Sequence, residues 1–389
     1  MRAAAPEDNP HEIARPAVTS RCPATPPSGT EARPSRKGRR FFLTLTTAAL
    51  AACGGDDGPT EPAATLNLTV ARAYLVQAVQ RPDGSVPLVA GREATVRVFP
   101  LANEANTAAP AVLVRLLEDG VPFDSVRITA PGAGVPTALD ETAGAWTATI
   151  PGDRIRPGLS LEAVVDPDGA VAEASTADNG FPASGALALT VEEAPPLRIR
   201  FVSIVNGSET GFVDGDRISD YMALTEKIFP AATFEVDIRI GGVVSAVDDV
   251  STAPGTVLQE VRQLQQTEDP NRIYVGVVAD AAWPGGSGLA LVGGYAAIIR
   301  EGTATSRRVV FPHQIGHLMG RRHAPACDAG ADTEFPYADD SIGQLGYDDG
   351  AVVPADTQDI MSICPLSNPW VSDYTWEAML EEALARAGG

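Results

Sequence analysis

Residues 313–323 read HQIGHLMGRRH. His313 and His317 stand four positions apart, a spacing that on a helix stacks both imidazoles on one face, one turn from each other, as a shared metal ion requires. The stretch therefore predicts a helix that carries two ligands. Gly320 can end that helix in a left-handed conformation, after which the chain turns and His323 supplies a third nitrogen. A three-nitrogen site leaves a fourth position open for water. Three of the chain's four histidines fall within this segment, which favours a common ligand role over histidines packed independently.

Working outward, the residues before this segment alternate strand-like and helix-like patterns. Leu197 to Val205, Phe234 to Ile240 and Ile273 to Ala279 read as strands, and Ile218 to Phe229 and Gly255 to Gln266 as helices. Gly288 to Ile299 reads as one more strand, at the edge of the sheet above the cleft. Such alternation predicts an α/β layer arrangement with a partly parallel sheet. Upstream of Glu193-Ala194-Pro195-Pro196 the pattern is different. Period-two segments run Leu66 to Val70, Ala94 to Phe99, Val112 to Leu117, Ser125 to Ile128, Trp146 to Ile150, Leu161 to Val165 and Ala186 to Val191, with turn residues between many of them. Seven short strands without a long helix predict an all-β immunoglobulin-like sandwich. Val164 to Gly180, VVDPDGAVAEASTADNG, resembles the closing hairpin of bacterial adhesion-type sandwich modules. The simplest role for such a unit is a spacer.

The amino-terminus predicts export. Residues 36–53 read RKGRRFFLTLTTAALAAC, a basic cluster, a short apolar run and then a cysteine, which resembles a signal peptide. The run is well short of the roughly 18 to 20 residues that span a bilayer. Leu50, Ala51, Ala52 and Cys53 resemble a bacterial lipobox, in which Cys53 would be lipidated and become the first mature residue. Gly54 after it carries no signal for inner-membrane retention, so the expected location is the outer membrane or cell surface. Arg39 and Arg40 also resemble a twin-arginine export signal. The expected order is thus residues 1–52 as leader and signal peptide, 53–65 as linker, 66–194 as the sandwich and 197–389 as the metal-site domain. With Cys22 in the leader and Cys53 assigned to lipid, Cys327 and Cys364 are the remaining pair in an exported chain, which predicts a disulfide. Closing a loop of that length stabilises a fold by roughly 4 kcal/mol in the chain-entropy picture.

Charge narrows the partners. The chain carries a formal net charge of -21, although residues 1–40 alone hold eight basic against four acidic residues. Beyond that leader Lys227 is the single lysine, so nucleic acid is excluded as a charge-driven partner, and membrane contact is expected through the lipid anchor only. The loop from Asp328 to Asp349 holds six aspartates. Without EF-hand spacing it reads as a solvated loop rather than a calcium site.

The spacing His-x-x-x-His-x-x-Gly-x-x-His resembles the metzincin zinc peptidases. DIMSIC, Asp359 to Cys364, resembles their methionine turn, with Met361 as its methionine. RRHAPACDAG, FPYADDSIGQLGYD, DIMSIC and WVSDYTW together resemble secreted bacterial peptidases related to the mucin-directed metzincins, over roughly residues 197–389. That resemblance implies a metzincin-like α/β zinc peptidase domain, Zn²⁺ on His313, His317 and His323, and a bridge from Cys327 to Cys364 that ties the active-site loop to the floor of the site. It also implies an extracellular protein or glycoprotein substrate. Two positions depart from the pattern. The residue after the first histidine is Gln314, where the family carries a glutamate that takes a proton from zinc-held water and passes it to the leaving amine. Ile363 stands where several relatives carry a tyrosine that supports the oxyanion. Three readings stay open: a zinc peptidase whose turnover is impaired, a zinc-containing pseudoenzyme that binds surface ligands, and an active enzyme whose base is Glu334 or an aspartate of the acidic loop.

Overall fold

The computed structural model describes residues 64–327, 332–364 and 368–388. The expected leader, signal peptide and lipidated Cys53 lie outside the described residues, as do residues 328–331 of the acidic loop. Among the described residues no helix is long and apolar enough to cross a membrane. The described residues fall in one compact unit, with sheets predominating and four α-helices.

Two antiparallel sheets build the amino-terminal part. One joins Leu68–Val76, Ala94–Ala102 and Trp146–Ile150, and the other joins Val112–Glu118, Val121–Ile128, Leu159–Val165 and the short Gly180–Phe181. Alternation of apolar residues turns Val96, Val98, Val112, Val114, Leu161 and Ala163 into one shared core between them. The expected strand Ala186 to Val191 is instead two fragments. Leu187–Ala188 pairs with the Leu159–Val165 strand, whereas Val191–Glu192 runs parallel to Leu88–Val89. The chain here changes partners midway, a long-range choice with no local pattern behind it.

The second part is a seven-stranded sheet in which Phe234–Ile238, Leu197–Asn206, Ile273–Val278 and Ala296–Arg300 lie side by side and parallel, with helices on both faces. Side chains alternate as the pleat demands. Ile199, Phe201, Ile273, Val275, Ala297 and Ile299 share a core with α1 (Gly215–Ile228) and α3 (Ala304–Leu318). Val202, Ile204, Tyr274, Val278, Ala296 and Ile298 face α2 (Pro254–Glu268). Near-continuous apolar strands are what a sheet covered on both faces needs. Asp214 begins α1 by accepting the Arg217 N–H, and Thr303 begins α3 by accepting that of Ser306.

The stretch Gly288 to Ile299 is not one strand. Gly288–Ala290 and Ala296–Arg300 are antiparallel neighbours, and Leu291 to Gly294 is a turn between them closed by the Gly294 N–H on the Leu291 carbonyl. Gly293 has a φ of +68°, which an L residue adopts only at a cost. The pair Gly293-Gly294 was the local sign of this reversal. Gly288–Ala290 is the sheet's edge.

The sandwich is not packed as a separate unit. Ala78, Val79, Val86 and Val89 belong to the same core as Phe311, Met361 and Trp376. Arg81 holds Asp373 at 2.6 Å and Glu377 through both terminal nitrogens, anchoring α4 (Asp373–Gly388). Arg92 donates to the Lys227, Phe229 and Ala231 carbonyls, satisfying the last carbonyls of α1 and the chain just beyond. The sandwich is thus built into the body of the α/β layers.

Candidate metal centre

Helix α3 runs through the core rather than over it. From Phe311 to Met319 every residue is buried, so its end is apolar except at His313, Gln314 and His317. Gly320, with a φ of +80°, closes it: its N–H reaches the His317 carbonyl and the Arg321 N–H reaches that of Gly316. These two bonds are the Schellman arrangement. They turn the chain so that His323 comes back beside His317.

The structure brings His313, His317 and His323 together, with one ring nitrogen of each within 4.8 Å of the others. It is the one cluster among the described residues in which three histidine, cysteine or carboxylate groups could hold a metal ion. His313 Nδ1 lies 2.8 Å from the Ile360 carbonyl and His317 Nδ1 lies 2.8 Å from the Arg321 carbonyl. A carbonyl only accepts, so both rings carry their proton on Nδ1 and present a bare Nε2. His317 Nε2 and His323 Nε2 are 3.0 Å apart. Two ligands at about 2.05 Å on a tetrahedral zinc would be separated by about 3.3 Å. Donor type, spacing and tautomer therefore fit a zinc-like cation.

Burial also prepares the rings. It pushes His313 down to about 3, helped by the neighbouring His317 and opposed by the Ile360 carbonyl. His317 is lowered by the same desolvation, against the Arg321 carbonyl. Both are neutral, and so able to ligate, at pH 7. Depressed folded values mean that the unfolded chain takes up more protons than the fold as pH drops below histidine's ordinary 6.5. Stability from this cluster is present above about pH 6.5 and is lost as pH falls toward 3. Metal-free protein should melt at a lower temperature at pH 5 than at pH 7, and His313→Asn should shrink that difference. Equal sensitivity in both forms would contradict the assignment.

The floor is built from Asp359 to Cys364. Met361 is buried beneath the helix, its Sδ 2.4 Å from where a Cβ on Gly316 would stand. Gly316 is thus required by the close approach of helix and turn. Ala in its place should cost about 1 to 3 kcal/mol through overpacking, read as a lower urea midpoint, with weaker metal retention. An unchanged midpoint would show that the turn can yield. Asp359, fully buried, accepts the Met361 N–H at 2.7 Å and the Ser372 N–H at 2.8 Å. Its burial raises its carboxyl above the usual range. Asp340 is the second organiser, holding Ala326 N–H at 2.6 Å and Ser362 Oγ at 2.8 Å. Neither aspartate was singled out by spacing. Asp340 corrects the reading of a solvated acidic loop, and so do Asp332, paired with Arg321, and Asp348, paired with Lys227, whereas Asp349 stays exposed as that reading expects.

Cys327 and Cys364 form a disulfide with their Cα atoms 5.5 Å apart. It joins the chain after His323 to the chain after Met361. Ile363 is 44% exposed, whereas Gln314 is 6% exposed and its Oε1 is buried without a hydrogen-bond partner. A Cβ on Gly288 would lie 2.7 Å from Gln314 Cγ, so the bare backbone of the edge strand is what accommodates this side chain. Glu334 is exposed and its N–H bonds Asp332 within a turn. It does not join the histidine cluster.

No family model matches the chain, and no curated protein matches it. Among solved structures it is similar to metalloproteinase-II of Bacteroides fragilis at 12% identity, over 76% of this chain and 92% of that one, with a TM-score of 0.29. It is also similar to the CARDB domain of a Pyrococcus furiosus protein in complex with di-metal ions, at 14% identity over 36% of this chain and all of that one, with a TM-score of 0.20. A cycloisomaltooligosaccharide glucanotransferase of Paenibacillus matches at 14% identity over 54% of this chain and 28% of its own, also at a TM-score of 0.20. At these scores the likenesses carry no argument about fold or chemistry.

Proposed function

We propose that this is an exported, lipid-anchored protein with a metzincin-type zinc site, and that the site is a zinc endopeptidase centre whose turnover is held back by Gln314. The observation that carries the reading is the convergence of His313, His317 and His323 over a buried methionine, with two of the three rings locked by backbone carbonyls. Zinc bound there would acidify a water and polarise a peptide carbonyl. The protein's own contribution is to hold the three nitrogens in one geometry and to keep His313 and His317 neutral. Gln314 can orient a water by hydrogen bonding, and its unpartnered Oε1 is an acceptor in want of a donor. An amide cannot take a proton near pH 7, so the step that glutamate serves in such sites is missing.

Gln314 equally favours a second reading, a zinc-containing pseudoenzyme that uses the cleft to bind an extracellular protein or glycoprotein. The export half of the proposal rests on residues 36–53 and on the disulfide, which suits an oxidising compartment. Zinc content measured together with cleavage of casein and a mucin-type glycoprotein tests both readings. Zinc with slow cleavage supports the first and zinc with none supports the second. Absence of zinc from protein refolded or expressed with the metal present would reject both.

A further inference from the structure

The sandwich reaches the metal site through one side chain. The Ala78 carbonyl, just beyond the Leu68–Val76 strand, accepts the Trp370 Nε1–H at 2.8 Å. The Trp370 carbonyl accepts the Ile360 N–H at 2.7 Å, and the Ile360 carbonyl accepts His313 Nδ1–H at 2.8 Å. Ala78, Trp370, Ile360 and His313 are all buried, so no water competes for these bonds. The same Ala78 carbonyl takes the Tyr347 N–H at 2.8 Å, and a Cβ on Gly346 would stand 2.5 Å from Trp370 Cδ1. The indole is therefore fixed on its edge by Ala78 and along its side by Gly346.

We propose that Trp370 is a positioning residue by which the amino-terminal sandwich sets the orientation of His313. This rests on the reading of the three histidines as a metal site. Ile360 aims its carbonyl at His313 while its own N–H is held by the Trp370 backbone carbonyl, and the indole of that residue is anchored to the sandwich, beside the bracing that Asp359 gives the same turn. The direct partner of a ligand ring orients it and raises its basicity, and its loss typically weakens metal binding about 10- to 100-fold; Trp370 acts one step behind that partner, so the low end of the range is the expected effect. The sandwich thereby serves the site itself rather than merely carrying it.

Trp376 provides the comparison. Its Nε1–H also bonds a carbonyl of the sandwich side, that of Pro87 at 3.0 Å, yet it makes no bond to the floor of the site. The full-length protein, Trp370→Phe and Trp376→Phe would be loaded with Zn²⁺ against a competing chelator, and with Co²⁺ for its visible absorption. Trp370→Phe should bind zinc about 10-fold more weakly, the low end for such a partner, with a shifted Co²⁺ spectrum. Trp376→Phe should lose stability but keep both. Equal zinc affinity and equal Co²⁺ spectra in Trp370→Phe and wild type would overturn the proposal while leaving the metal site intact. Wild type that takes up neither metal would overturn the metal reading and this inference with it. Should Trp370→Phe not fold, hydrogen exchange in wild type decides, since linkage is reciprocal: zinc must slow exchange at the Ile360 and Tyr347 amides, and no change at either would be fatal.

Discussion

Gln314→Glu should raise peptide hydrolysis at least about 100-fold over wild type if the proposed peptidase reading holds, the low end for one proton-transfer step and equivalent to about 2.7 kcal/mol in the barrier. The substitution is nearly isosteric. The side chain is pinned against the Gly288 backbone, where no Cβ obstructs either group, so the ligands and the floor should stay in place. What changes is the chemistry of one buried oxygen. In the amide it accepts nothing from the protein; in a carboxylate it can accept a proton and later return it. Adding Ile363→Tyr should contribute further by offering a hydroxyl to the developing oxyanion. The three forms would be compared on casein and a mucin-type glycoprotein with zinc occupancy verified in each. Wild type cleaving as fast as Gln314→Glu would sink this account and return attention to a base outside position 314. Cleavage by none of them, at full occupancy, favours the binding reading.

The second large effect is on the metal. His317→Ala should weaken zinc binding by more than about 100-fold, because it removes a ligand outright where loss of a mere orienting partner already costs 10 to 100. His317 is also the middle of the cluster: its ring meets both His313 and His323, with centroids 4.7 Å away in each case. The ratio of zinc to protein after dialysis should fall from about one to near zero. Retention of the metal by the variant would mean that the ion sits elsewhere. Gln314→Glu keeps the three rings and should keep its zinc, which separates loss of metal from loss of chemistry.

Much of this was legible in the sequence, for physical reasons that differ by element. The strands Ala94–Ala102, Val112–Glu118, Trp146–Ile150 and Ile273–Val278 announce themselves because each buries at least one face, and burial on a pleat writes a pattern into the side chains. The spacing of the histidines and the cap at Gly320 are equally local, set within two helical turns and one reversal. Contacts between distant segments leave no such trace. Nothing near Asp359 indicates that its carboxylate will hold both Met361 and Ser372, and nothing near Ala78 indicates that Trp370, 292 residues later, will bond its carbonyl. The packing of the sandwich against the α/β layers was unreadable for this reason. Gly316 and Gly288 lie between these cases: as glycines they are visible, but the reason for each is a neighbour, Met361 or Gln314, supplied by another part of the fold.

Three imidazoles of one helix and its following turn should hold a single zinc ion. X-ray absorption at the zinc edge, on protein loaded to one equivalent, measures it most directly. The account predicts a first shell with three imidazole nitrogens at about 2.0 to 2.1 Å, plus one lighter oxygen or nitrogen donor. Sulfur scattering near 2.3 Å, or a shell without imidazole signatures, would contradict it.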